Sequence, residues 1–210
     1  MTLMGTSKRK SPTRTEFLFP NKLLIHPRKP PSKKATLRKH YLEKRAQISL
    51  DLRLKAEGKA LDYCTQALSK SDTVLSFASF GSEISTKEIN LFLMKRGSLV
   101  LPRVVADSIE VFRVTSLKQL QPSSYGILEP SPTLCSRVKE SEIDLSLVPG
   151  VAFHSNFHRI GYGKGHYDRF FARFDSSSVE KVGLGYQEQR IEGEFSPQET
   201  DIPLDQILLF

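Results

Sequence analysis

Apolar side chains recur at two different periods along this chain, and each change of period marks a new element. Over residues 35–45, Leu37, Tyr41 and Leu42 fall at helical spacing with no breaker between them, which predicts an amphipathic helix. A second helical pattern follows Ser49, with Asp51 near its start and Leu52, Ala56, Ala60, Cys64 and Ala67 as its stripe. At Thr73 the helical period ends, and residues 73–80 read as a strand. A loop and a helix from residue 86 to about residue 95 come next, stopped by Gly97. Residues 98–101 and 109–114 read as strands, and so does 143–148, whose unbroken apolar character suits a central strand covered on both faces. Residues 166–174 read as a helix, 181–186 as a strand and 207–209 as a short final strand. Strands alternating with helices predict an α/β layered sandwich, with a mostly parallel central sheet flanked by helices. Ligands in such folds sit beyond the carboxyl ends of the strands, where the loop after Val148 lies.

Charge changes this picture only at one end. The 210 residues carry a formal net charge of +8, which suggests a nucleic-acid partner until the charges are located. The first 34 residues hold nine basic side chains and one acid, leaving 22 basic and 22 acidic in the remainder. A neutral body with no recognisable reading module predicts no nucleic-acid partner for the body. Residues 1–32, rich in Lys, Arg, Ser, Thr and Pro, are expected to be a disordered basic extension, and residues 33–210 a single α/β domain. The extension reads as an inert tail, an organelle transit peptide or a basic arm for nucleic acid or anionic surfaces. Cytoplasm is the expected location, with an organelle as the alternative if the extension is a transit peptide. No apolar run is long enough to span a bilayer. Cys64 and Cys135 form neither a disulfide framework nor a metal set, and the spacing of His154, His158 and His166 matches no zinc pattern.

Candidate chemistry concentrates in Arg159-Ile160-Gly161-Tyr162-Gly163-Lys164-Gly165-His166-Tyr167-Asp168-Arg169. Three glycines at alternate positions let backbone amides approach a ligand closely, and a helix starting just after them adds partial positive charge. Arg159 and Lys164 add full charges, and Asp168 offers a hard oxygen ligand for magnesium. The spacing is neither the P-loop nor the dinucleotide fingerprint, so the residues alone indicate an anion site suited to a nucleotide.

That stretch, with Leu147-Val148-Pro149-Gly150-Val151-Ala152-Phe153 before it, closely resembles the signature of the 5-formyltetrahydrofolate cyclo-ligase family, also called 5,10-methenyltetrahydrofolate synthetase. Lys34-Ala35-Thr36-Leu37-Arg38, Glu83-Ile84-Ser85-Thr86, Leu101-Pro102-Arg103-Val104, Gly126-Ile127-Leu128-Glu129-Pro130 and Asp201-Ile202-Pro203-Leu204-Asp205-Gln206-Ile207 resemble further family segments in the family's order. The resemblance implies that ATP and magnesium drive closure of 5-formyltetrahydrofolate, with or without a polyglutamate tail, to 5,10-methenyltetrahydrofolate. ADP and phosphate would be released, and the enzyme is expected to act as a monomer. Lys34, Arg159 and Lys164 would be catalytic. ATP would be held by Lys34, Arg38, Arg159, Gly161, Gly163, Lys164, Gly165, His166 and Tyr167. The folate would meet Glu83, Phe153 and Tyr167, with Tyr125 beside Phe153, and Asp168 and Asp201 would hold magnesium.

Three features depart from the family pattern. His166 stands where tyrosine is usual, the chain stops at Phe210 just after its final strand, which could loosen the edge beside Asp201, and the basic extension has no counterpart. Two rival readings follow from the residues. One is a sugar-phosphate-binding α/β domain without ligase activity, which needs an anion site but no magnesium-triphosphate geometry. The other is a nucleic-acid binder driven by the tail, whose binding would fall steeply with salt.

Overall fold

The computed structural model of the chain describes Met1 and residues 32–68, 73–123, 126–174 and 179–210. Two helices open the described region. Ser32 caps α1 (Lys33–Ala46) by accepting from the Ala35 amide at 3.2 Å, and Ser49 caps α2 (Leu50–Ala67) through the Leu52 amide at 3.4 Å. β1 (Val74–Leu75), α3 (Lys87–Lys95) and β2 (Leu99–Val105) then form one strand–helix–strand unit. β3 (Ser108–Arg113) follows as a hairpin partner, then β4 (Leu120–Pro122), β5 (Leu128–Pro130) and β6 (Ser136–Arg137). A second unit comprises β7 (Leu145–Val148), the ribbon β8 (Ala152–Phe153) and β9 (Arg159–Ile160), α4 (His166–Phe171) and β10 (Glu180–Gly185). β11 (Gln206–Leu209) closes the chain.

The main sheet has seven strands in the order β11-β10-β7-β1-β2-β3-β6. β11, β10, β7, β1 and β2 run parallel, while β3 and β6 add an antiparallel edge. From β1 the chain crosses outward to β2, and from β7 it crosses the opposite way to β10. The loops after β1 and β7 therefore diverge, leaving a crevice at the switch point beyond their carboxyl ends. Side chains alternate across the sheet, so Val74 and Leu147 enter one buried cluster while Leu75 and Val148 enter the other. A third cluster, built from Tyr41, Val151, Ala152, Ile160, Ile191 and Phe195, seats α1 on the β8/β9 ribbon.

Several elements differ from the sequence expectation for local reasons. The strand expected over 73–80 is regular only at Val74–Leu75, although the Ser76 amide still reaches the Val100 carbonyl at 2.9 Å. The strand expected over 98–101 continues to Val105 because β3 pairs along it. Pro102 is tolerated because β1 ends opposite Val100, leaving Pro102 paired with Val111 alone. The helix expected over 166–174 ends at Phe171, yet Phe174 still packs on Phe170 with ring centroids 4.9 Å apart. The Phe210 amide donates to the Gly185 carbonyl at 3.1 Å, continuing the pairing of β11 with β10. The paired ribbons and β6 are two or three residues long, too short for a period to register. The expectation for the N-terminal extension falls almost wholly on residues 2–31, which lie outside the described residues.

Candidate active site

One face of α1, the loop after β1 and the loop after β7 converge on the crevice. Lys34 of α1 pairs with Asp201, and Asp201 also accepts from the Gln198 amide at 2.7 Å. Burial alone would raise the Asp201 pKa, but the Lys34 side chain and the Gln198 amide outweigh it and hold the carboxyl below its usual range. Asp168 Oδ1 accepts from Arg159 Nη2 at 3.1 Å and from the Ile202 amide at 3.2 Å, while Arg159 Nη1 reaches the Ile202 carbonyl at 3.3 Å. Both predicted metal carboxylates are thus fastened to the same 201–202 segment. Among the described residues no cluster of three or more His, Cys, Asp or Glu side chains forms a metal cage.

The glycine loop lies beneath α1. Arg38 Nε donates to the Gly161 carbonyl at 2.7 Å, and its guanidinium covers Gly163, where a Cβ would stand 3.2 Å from Cζ. Gly163 has φ +101° and Gly165 has φ +65°, both in the region that favours glycine. Gly165 also faces Arg169, whose Nη1 donates to the Lys164 carbonyl at 2.8 Å. Lys164 and His166 line a cleft of about 620 Å³ against Ala106 and Asp107 in the β2–β3 turn. Because α4 is only six residues long, the positive character here comes mainly from side chains. His166 Nδ1 lies 3.2 Å from Arg169 Nη2.

Glu83 lies in the loop after β1, in a cleft of about 450 Å³ shared with Arg53, Glu57, Ser79, Ser82 and Ser85. Its Oε2 accepts from the Phe80 amide at 2.9 Å. Burial pushes its pKa up, against the Phe80 amide, the Arg45 charge and the Tyr162 hydroxyl. Tyr167 stands between the two halves of the site. Its hydroxyl is buried with no hydrogen-bond partner, and its pKa is driven up by burial and the Glu83 charge against the pull of Arg159. A buried hydroxyl without a partner is costly in a finished protein and suits a position that a ligand completes.

Sequence reasoning missed the framework behind these groups. Arg45 is 2% exposed and donates to Ser82 Oγ at 3.0 Å, the Gly150 carbonyl at 3.1 Å and the Tyr162 hydroxyl at 2.6 Å. It thereby ties the loop after β1 to the loop after β7. The signal was present, since Lys34, Arg38 and Arg45 are spaced by four and seven residues and share a helix face. From α2, Arg53 donates to the Ser82 carbonyl at 2.9 Å, and Glu57 accepts from the Ser85 amide at 3.3 Å and the Tyr186 hydroxyl at 2.9 Å. Burial and the Glu57 partner push Tyr186 up to about 12.

Phe153, expected to touch the folate, is 1% exposed, and its ring packs on Gly150, Gly183 and Gly185 inside the core. Tyr125 lies outside the described residues.

Comparison with known proteins gives this geometry its context. The profile of the 5-formyltetrahydrofolate cyclo-ligase family matches residues 30–209. A Caenorhabditis elegans protein named "Probable 5-formyltetrahydrofolate cyclo-ligase" is 34% identical over 144 residues, covering 63% of this chain and 69% of that protein. The 5-formyltetrahydrofolate cyclo-ligase of Haemophilus influenzae is 30% identical over 154 residues, covering 71% of this chain and 81% of that one. The NMR structure of Aquifex aeolicus 5,10-methenyltetrahydrofolate synthetase superposes with a TM-score of 0.72 at 32% identity, covering 83% of this chain and 88% of that structure. With a profile match spanning nearly all of the α/β body, the chain belongs to the 5-formyltetrahydrofolate cyclo-ligase family.

Proposed function

We propose that the chain carries out its cyclo-ligase reaction in the crevice between β1 and β7, with ATP on the glycine loop and the folate over Glu83. The observation that carries this reading is the buried, unpartnered Tyr167 hydroxyl, set between Glu83 and the Arg159–Asp168 pair. A ligand spanning both halves of the crevice would supply the missing partner.

The reaction explains why ATP is needed. A formamide carbonyl is a poor electrophile and its oxygen a poor leaving group. Transfer of the γ-phosphoryl group to the formyl oxygen releases ADP and leaves an imidate-like phosphate. N10 then attacks the formyl carbon and loses its proton, the carbon–oxygen bond breaks, and phosphate departs with the former formyl oxygen. Such transfer asks a protein for positioning and charge stabilisation rather than a nucleophile.

Lys34, Arg159 and Lys164 are the groups we assign to the charge that develops on the phosphoryl oxygens. Arg38, Gly161, Gly163, Gly165 and His166 complete the ATP cradle, with Tyr167 at its inner end. Glu83 and the Tyr167 hydroxyl orient the formyl end of the folate. Asp168 and Asp201 fit a magnesium ion, because both are hard oxygen donors anchored by backbone amides and cationic partners. Magnesium typically takes one or two protein carboxylates and fills its remaining positions with water and phosphate. When bound, it would offset negative charge on the phosphates.

The test follows the methenyl-folate absorbance after the protein is mixed with 5-formyltetrahydrofolate and magnesium, with and without ATP. A rise that requires ATP and is abolished by EDTA is expected. No rise from folded protein would overturn the assignment and favour a phosphate-binding role. A rise unaffected by EDTA would remove Asp168 and Asp201 from metal binding.

A further inference from the structure

A glycine-loop side chain joins the contact that Arg45 makes between the two halves of the crevice. Tyr162 belongs to the glycine loop, between Gly161 and Gly163, and is 48% exposed. Its ring lies under the Arg45 guanidinium, 5.8 Å from Cζ to the ring centroid, and its hydroxyl accepts from Arg45 Nη2 at 2.6 Å. The same hydroxyl interacts with the Glu83 carboxyl. A tyrosine hydroxyl has one proton and two lone pairs, and an arginine can only donate. Arg45 therefore fills one lone pair of this hydroxyl and leaves its proton to an acceptor. Arg45 is itself fixed to Ser82 Oγ and to the Gly150 carbonyl. Through Arg45 the glycine loop is therefore tied to Ser82, the neighbour of Glu83 in the loop assigned to the folate.

We propose that Tyr162 is a positioning residue that couples the two substrate sites, so that folate bound at Glu83 tightens ATP binding on the glycine loop and the reverse. The inference rests on the site reading given above. When the folate engages Glu83, the loop carrying Ser82 is held, and with it the Arg45 guanidinium that donates to Tyr162. The loop around Gly161 and Gly163 is then held more firmly when ATP arrives. Ordering that is completed once and shared by two ligands produces positive coupling without a large change of shape. Linkage makes the effect reciprocal.

Calorimetry of a non-hydrolysable ATP analogue, titrated with magnesium into the full chain with and without saturating 5-formyltetrahydrofolate, tests this. The native chain is expected to bind the analogue about fivefold or more tightly with folate present, and folate to gain by the same factor from the analogue. Tyr162→Phe keeps the ring under Arg45 and deletes only the hydroxyl. Its coupling factor should fall to within about twofold of unity, and its KM for ATP at saturating folate should rise more than its kcat falls. An unaltered circular dichroism spectrum and melting curve would exclude a merely structural loss. Coupling preserved in Tyr162→Phe, or absent from the native chain while both ligands bind, overturns the role of Tyr162. Failure of either ligand to bind the native chain overturns the site reading instead.

Discussion

Glu83 shows how a single side chain can be set against the stability of its own fold. Burial raises its pKa, so its contribution to stability is present below the ordinary glutamate value and is lost as pH rises through the folded-state value. Glu83→Gln retains an acceptor for the Phe80 amide and removes the buried charge. Its melting temperature should exceed that of the native chain by a few degrees at pH 7–8, with the difference vanishing by about pH 4. Loss of a charged hydrogen bond to the folate, about 1.5–3 kcal/mol, should lower kcat/KM roughly 10–100-fold. Melting curves and initial rates over pH 4–8 check both, and equal stability across that range would rule out a buried, pKa-raised carboxyl. Asp168→Asn is expected to behave differently, because Asp168 also neutralises Arg159, which is nearly enclosed. Turnover should fall by at least about 100-fold at saturating magnesium, with some loss of melting temperature. Near-normal turnover would take Asp168 out of the mechanism. Arg159 and Asp168 were singled out in the sequence by their chemistry beside the glycine loop, and Lys34, Arg38 and Glu83 only by the family resemblance. For Arg45 only its place on the face of Lys34 and Arg38 was legible, because its partners Ser82, Gly150 and Tyr162 are brought in by folding.

At the scale of elements, the period of apolar positions located the long helices and the buried strands, and it was silent on the ribbons that aim the site. β8 and β9 are two residues each, yet they set Arg159 at the mouth of the glycine loop. Phe153 was ambiguous at this level, since an apolar residue within a binding signature is compatible with a ligand slot or with the core. Gly183 in β10 shows the core packing. A Cβ there would meet Phe153 Cε1 at 2.8 Å and Leu204 Cδ1 at 2.7 Å. Gly183→Ala should therefore destabilise the fold by about 1–3 kcal/mol, the usual range for overpacking. Each kcal/mol corresponds to roughly 2–4 °C in melting temperature for a chain of this size. Adding Phe153→Leu to Gly183→Ala should recover part of the loss, because the two side chains compete for one volume. Strictly additive destabilisation in the double variant would show that Phe153 does not cover that strand.

For the molecule as a whole, the decisive feature is that two strand–helix–strand units leave the sheet centre in opposite directions. The sequence predicted the layers and the mostly parallel sheet, but the antiparallel edge and the strand order depend on pairings between distant segments. Every group assigned to the reaction comes from the described α/β body, and the earliest is Lys34, on the first turn of α1. That turn starts at Ser32, whose hydroxyl accepts from the Ala35 amide. A deletion of residues 1–31 therefore keeps the cap and all site groups, and kcat/KM for ATP and for the folate should stay within about twofold of the full chain. Replacing Ser32 by Ala in the shortened chain removes the cap, at a cost of about 1 kcal/mol to the start of the helix. Since Lys34 and Arg38 ride on that turn and the next, the change should appear chiefly as a higher KM for ATP. A large loss on deleting residues 1–31 alone would mean that the basic extension takes part in the site, and the ATP cradle would have to be redrawn to include it.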